Sequence, residues 1–178
     1  MAEDKLYFDM STLIFGCGNV LFGDDGFGPE VVDYFNAHYQ LPDDAQALRV
    51  ETSIRNYLFN IVLSDQKPDL ILIIDAVDKG KSPGELFEID LDEIPAKKLD
   101  DFSMHQMPSS NLLKEMKDDA GMNIRILVCQ VEYIPPEIKP GLKQVMIDSI
   151  PKMCEMMVGL HGNQQRRILL DFHFLILQ

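Results

Sequence analysis

The sequence lacks the marks of a secreted, membrane-bound or nucleic-acid-binding protein. No run approaches the roughly 18 apolar residues of a membrane-spanning helix. No basic region leads into an apolar core at the start, so no signal peptide is expected and the chain reads as cytoplasmic. Basic residues are outnumbered, with 16 Lys and Arg against 29 Asp and Glu, for a formal net charge of -13. Such a chain repels phosphate backbones and anionic headgroups. Nucleic acid and membrane partners are therefore excluded, and a partner with a basic segment is allowed. Cysteine is sparse as well: Cys17, Cys129 and Cys154 are widely spaced, odd in number and without a C-x-x-C pair. That pattern fits a reducing compartment and excludes a disulfide framework or a thiolate zinc site. There is no G-x-S-x-G elbow and no internal repeat. A chain of 178 residues can bury a sizeable core in one domain. We expect a single domain over residues 1–178, with its core in residues 11–160. The tail, 161–178, has a polar patch at Gln164 to Arg167 and an apolar end at Leu169 to Leu177, and its role is open.

What is present is organised around residues 13–28. The apolar run Leu13 to Phe15 reads as a buried strand, with the first strand spanning about Thr12 to Cys17. Gly16 and Gly18 break it, Asp24 and Asp25 follow, and after Gly26 and Gly28 a helical pattern starts at Pro29, a favourable first position. A dinucleotide fingerprint would need its third glycine at position 21, which is Leu21, and paired carboxylates would repel a pyrophosphate. The remaining readings are a tight turn with solvated acids or a metal site built on hard oxygen ligands.

The first helix is expected over Pro29 to Tyr39, and Leu48 to Thr52 forms a second strand. Tyr57, Leu58, Ile61 and Val62 recur at helical spacing. Leu70 to Ile74 is a continuous apolar run, read as a central strand buried on both faces and stopping at Asp75. Leu86 to Ile89 alternates like an edge strand. Residues 91–108, which hold His105, look irregular. Ser109 or Ser110 caps a helix bearing Leu112, Leu113 and Met116. Ile124 to Val128 is the fifth strand. The last helix runs from Leu142 to Val158, with Pro151 expected to kink or split it. This alternation of strands and helices predicts a three-layer α/β domain.

The pair Asp24-Asp25 after the first strand, Asp75 after the third and His105 before the third helix fall at strand ends or in the loops that follow. Two carboxylates and an imidazole suit a divalent transition metal and leave coordination positions open. Each also has a plainer reading: Asp75 as a turn cap, His105 as a solvated loop histidine. From chemistry alone the chain is a metal-binding α/β hydrolase.

Residues 15–29, FGCGNVLFGDDGFGP, resemble the signature of the nickel-iron hydrogenase maturation endopeptidases, a G-x-G-N followed by D-D-G or D-E-G. Ile74-Asp75-Ala76 with Ser82 to Glu85 resembles that family's second block, and His105 to Pro108 its third. Within the family the sequence is most similar to the peptidases of the deazaflavin-reducing hydrogenases of methanogens. The resemblance implies an α/β/α sandwich with a mixed five-stranded, phosphorylase/hydrolase-like sheet. It also implies a single cut that removes the C-terminal extension of the hydrogenase large-subunit precursor after nickel insertion. On this chain the family's catalytic and metal-binding positions fall on Asp25, Asp75 and His105. The implied cofactor is nickel, held by the enzyme itself or borne by the substrate, with other divalent transition metals able to substitute in vitro. Asp24 is expected to support the ligand carboxylate or order the loop. The alternative of another class is a non-catalytic, nickel-sensing chaperone or scaffold for hydrogenase assembly. One departure stands out: Glu51-Thr52-Ser53 occupies the place of a D-G-G turn, so one wall of the cleft should differ.

Overall fold

A computed structural model of the chain describes residues 9–91, 110–118 and 121–164. His105, Ser109 and the tail beyond Gln164 lie outside the described residues. Five strands, β1 (Thr12–Cys17), β2 (Ala45–Glu51), β3 (Leu70–Val77), β4 (Leu86–Ile89) and β5 (Asn123–Gln130), form one sheet in the order β2-β1-β3-β5-β4. All neighbouring pairs are parallel except β4 with β5, so the sheet is mixed. Four helices pack on it: α1 (Phe27–His38), α2 (Ile54–Leu63), α3 (Ser110–Asp118) and α4 (Gln144–Gln164).

The period of two along each strand divides the core. Leu13, Phe15, Ile71, Ile73, Ile126 and Val128 face one way and pack with Ile54, Leu58 and Ile61 of α2 and Leu113 and Met116 of α3. Ile14, Leu72, Ile74, Leu127 and Cys129 face the other way. They meet Val31, Val32 and Phe35 of α1 and Met146, Met153 and Met157 of α4. This is the three-layer α/β/α sandwich, and the methionines of α4 fill its core. The chain leaves β1 toward β2 on one side and returns to β3 on the other. The sheet therefore reverses its winding between β1 and β3, and in open α/β sheets the crevice beyond such a reversal is where ligands bind.

Two elements differ from the sequence reading, and a third differs in part. β3 does not stop at Asp75. It continues through Ala76 and Val77, with Asp75 opposite Val128, because apolar residues on both sides of the carboxylate keep the ladder going. Helix α1 starts at Phe27, two residues before Pro29, and is entered from a short 3-10 turn over Gly23–Gly26. Pro151 does not split the last helix, which runs on to Gln164. The carbonyl left without an amide partner belongs to position 147, and Ile147 is exposed.

The join of α1 to the sheet depends on a close backbone approach. A Cβ at Gly28 would stand 2.2 Å from the Cys17 carbonyl oxygen and 2.4 Å from that of Ile74. Gly28→Ala should destabilise the protein by about 2–3 kcal/mol, because the obstacle is backbone and cannot step aside. Gly159→Ala, in an exposed stretch of α4 with nothing within 4 Å, should stabilise it by about 0.5–1 kcal/mol. Urea unfolding of the two variants reads both signs. Equal midpoints would refute the packing account.

Candidate active site at the switch point

The loop after β1 is built by its own backbone. The Asn19 side chain accepts the Leu21 N–H at 3.0 Å, and the Asn19 carbonyl accepts the Phe22 N–H at 3.0 Å. Gly18 has φ +121°, a conformation that a side chain disfavours, and a Cβ there would lie 1.9 Å from the Asp25 carbonyl oxygen. The tightened loop brings the Asn19 N–H to Asp25 Oδ2 at 2.9 Å.

Asp24 and Asp25 are both buried, which overturns the reading of a turn with solvated acids. Their roles diverge. Asp24 Oδ2 accepts the backbone N–H groups of Glu132 at 2.9 Å and Tyr133 at 3.0 Å, and Oδ1 accepts that of Lys143 at 2.8 Å. It is a strut between the glycine loop and the β5–α4 connection. Gly23 N–H to the Lys139 carbonyl and Lys139 N–H to the Leu21 carbonyl reinforce the same join. Asp24 thus orders the loop, as the sequence suggested, through partners that sequence reasoning could not name.

Asp75 projects from β3 on the α2 face, the side of its register neighbours Ile73 and Val77. It is fully buried. Oδ1 accepts the Ala76 N–H at 2.7 Å, while Oδ2 has no hydrogen-bond partner among the described residues. Burial pushes its carboxyl well above the usual carboxylate range. The Ala76 hydrogen bond opposes that rise, and the neighbouring charge of Asp25 adds to it. Asp25 and Asp75 are therefore brought together at the switch point. His105 is outside the described residues, and among those described no three His, Cys, Asp or Glu groups form a metal-holding cluster.

None of the cysteines is poised as a nucleophile, and all three are buried. Burial, with the Asp75 charge behind it, holds the Cys17 thiol well above its ordinary pKa. Burial also pushes Cys129 and Cys154 up to about 12. Sequence reasoning passed over Gln130, a polar residue closing an apolar strand. Its Oε1 accepts the Lys79 N–H at 2.8 Å and the Lys81 N–H at 3.2 Å, and its Nε2 donates to Asp78 Oδ1 at 3.0 Å. It fixes the loop that follows β3. The Ser82 to Glu85 block closes that loop as a turn, the Glu85 N–H donating to the Ser82 carbonyl at 3.0 Å.

Two tests follow from this electrostatic arrangement. The folded Asp75 carboxyl holds its proton more tightly than the unfolded one. Its contribution to stability is therefore best in acid and declines as pH rises from the ordinary carboxylate range through the raised value. Metal-free Asp75→Asn should exceed the wild type in stability at neutral pH, with the gap closing toward about pH 4. A pH-independent gap in denaturant titrations would contradict this. Asp24→Asn turns an NH2 group toward at least one of three backbone donors, whichever way the amide is oriented. It should cost about 2–4 kcal/mol and speed hydrogen exchange in residues 132–143.

The relatives of the chain agree with this architecture. A family model for hydrogenase maturation protease (HycI) matches residues 29–160. A Methanocaldococcus jannaschii protein named as a hydrogenase maturation protease is 38% identical over 148 residues, covering 83% of this chain and 94% of that one. The coenzyme F420 hydrogenase subunit delta of Methanothermobacter thermautotrophicus is 28% identical, covering 87% and 97%. Among solved structures, the endopeptidase HycI from Escherichia coli superposes with a TM-score of 0.67 at 27% identity, covering 86% and 92%. The E. coli maturating endopeptidase HybD shares the fold, with a TM-score of 0.68 at 24% identity over 88% and 94%. With most of its length matched by the family model and by these relatives, the chain belongs to the hydrogenase maturation proteases, endopeptidases built on a mixed five-stranded α/β fold.

Proposed function

We propose that this endopeptidase removes the C-terminal extension of a nickel-iron hydrogenase large-subunit precursor once nickel has been inserted, and that Asp25, Asp75 and His105 engage the nickel. The observation that carries the reading is the buried Asp75 carboxylate, one oxygen tied to Ala76 and the other without a hydrogen-bond partner among the described residues. A buried charge with half its acceptor capacity unused is costly unless a cation or a proton completes it. Carboxylate oxygens with an imidazole form a donor set that fits nickel and other divalent transition metals. The ion, when bound, supplies Lewis-acid polarisation of a carbonyl and acidification of water.

The chain's own residues have three tasks in this reading. The Asn19 N–H fixes the orientation of Asp25 through Oδ2, and the Ala76 N–H fixes that of Asp75 through Oδ1. The Asp24 strut holds the glycine loop against the β5–α4 connection while substrate enters. The buried thiols leave the cut to water. The acidic chain suits a precursor whose docking segment is basic. No helix among the described residues is long and apolar enough to cross a membrane.

Incubation with nickel-loaded precursor, followed by mass spectrometry of the large subunit, tests the proposal. The expected result is loss of the extension, with nickel-free precursor left uncut. Metal-dependent binding without a change in mass would overturn the peptidase reading in favour of a scaffold. Asp25→Asn and His105→Ala should abolish trimming. His38→Ala should be silent, since that exposed ring is engaged with the Tyr34 carbonyl. Thiol alkylation of the folded protein should leave the rate unchanged. The rate should fall as pH drops through the imidazole range, near about 6–7, because both ligand types bind metal only when deprotonated.

A further inference from the structure

We infer that Glu51 is a positioning residue for the paired carboxylates, and that it acts through its backbone conformation and not through its side chain. This deepens the proposed function, since it concerns the loop that carries Asp25. Among the described residues Glu51 alone, apart from glycines, has a positive φ, at 51°. A non-glycine residue in this region is strained by about 1–2 kcal/mol and persists where its surroundings demand it.

The demand comes from a slip in register between β1 and β2. Gly16 pairs with Arg49, yet the next residue, Cys17, pairs with Glu51, leaving Val50 as the extra residue of a bulge. Val50 is buried in the core on the α2 face, so the bulge is pinned from below. The chain then turns at once, and the Ser53 N–H returns to the Val50 carbonyl at 2.9 Å. Bulge and left-handed residue together aim the Glu51 carbonyl at the Gly18 N–H, 3.3 Å away.

Gly18 stands against both carboxylate residues. A Cβ built on it would lie 1.9 Å from the Asp25 carbonyl oxygen and 3.7 Å from Asp75 Oδ1. The next amide, that of Asn19, holds Asp25 Oδ2. A continuous path therefore runs from the Glu51 carbonyl through the Gly18 amide and the Asn19 amide to the Asp25 carboxylate. The Glu51 side chain points away from this path, into a surface ion pair with Arg49 at 2.8 Å, and Arg49 also reaches Asp33 at 2.5 Å. Both pairs are substantially exposed and add little. A glutamate can thus stand where a D-G-G turn is usual, because the carbonyl direction is what the site uses.

A substitution series separates backbone from side chain. Glycine and asparagine tolerate positive φ best, unbranched residues such as glutamate and alanine less so, and β-branched valine least. Amide hydrogen exchange of the metal-free chain should show Gly18 protected to the wild-type degree in Glu51→Gly and Glu51→Asn. In Glu51→Val the Gly18 amide should exchange about five- to thirty-fold faster, with Ile73 in β3 read in parallel for any change in global stability. Glu51→Ala, unbranched like glutamate, should match the wild type and so isolates loss of the ion pair; Glu51→Thr carries the test if the valine variant does not fold. Trimming of nickel-loaded precursor should follow the same order, with the glycine variant restoring what valine loses. Unchanged Gly18 protection in the valine variant, or in the threonine variant in its place, would overturn the inference. So would equal loss in the glycine and valine variants, which would assign the effect to the Arg49 ion pair. If the wild type itself does not trim the precursor, the functional reading fails while the exchange measurement still decides the role of Glu51.

Discussion

The constraint on which the rest depends is the burial of three carboxylates, Asp24, Asp25 and Asp75, at one end of an otherwise apolar sheet. Removing a carboxylate from water costs several kcal/mol unless partners replace the lost hydration. The chain answers this cost in different ways at each position. Asp24 receives three backbone N–H groups. Asp25 receives the Asn19 amide at Oδ2. Asp75 receives a single amide, on Oδ1. The layout of the surrounding loops follows from these bonds. The glycine loop is tightened to deliver the Asn19 amide, and the β5–α4 connection is bent to deliver the amides of Glu132, Tyr133 and Lys143.

Two of these buried aspartates thus serve opposite ends. Asp24 spends its acceptor capacity on the scaffold, and its charge is matched by fixed dipoles. Asp75 keeps an acceptor in reserve beside the charge of Asp25, an arrangement that resists ionisation in the absence of a cation. A structural carboxylate beside one held under electrostatic tension is the pattern expected where a rigid scaffold presents a reactive group.

Much of this was legible in the sequence, and the parts that were not have a common cause. β1, the glycine loop and the edge strand β4 are local patterns, and period and composition reveal them. The mixed, five-stranded form of the sheet came from the family resemblance and not from those patterns. The end of β3 was misjudged because a carboxylate reads as a stop, whereas a polar residue inside a parallel strand is held by its ladder to β5. The burial of Asp24 was illegible because its donors lie 108 to 119 residues further along the chain. The positive φ of Glu51 was hidden as well, since it arises from a register slip between two strands and not from the residue type. Of the two outcomes expected at Pro151, a kink or a split, the split is absent: α4 is continuous, and the orphaned carbonyl falls at the exposed Ile147. Local chemistry was visible throughout, and long-range partners were not.

The same arrangement bears on how a protease can be harmless to other proteins. The described residues present no thiol available as a nucleophile, and Asp25 and Asp75 together fall short of a three-donor metal cluster. Burial and the neighbouring charge of Asp25 make the Asp75 carboxyl, without a cation, favour a proton over a bare charge. In the proposed reading the cation arrives with the substrate, so one event neutralises the pair and marks the correct peptide. In that reading selectivity draws on an electrostatic deficit within the enzyme. Such a deficit is, in that reading, maintained only while the carboxylates stay rigid, and the backbone at Gly18 and Glu51 then bears on function through the acids it positions.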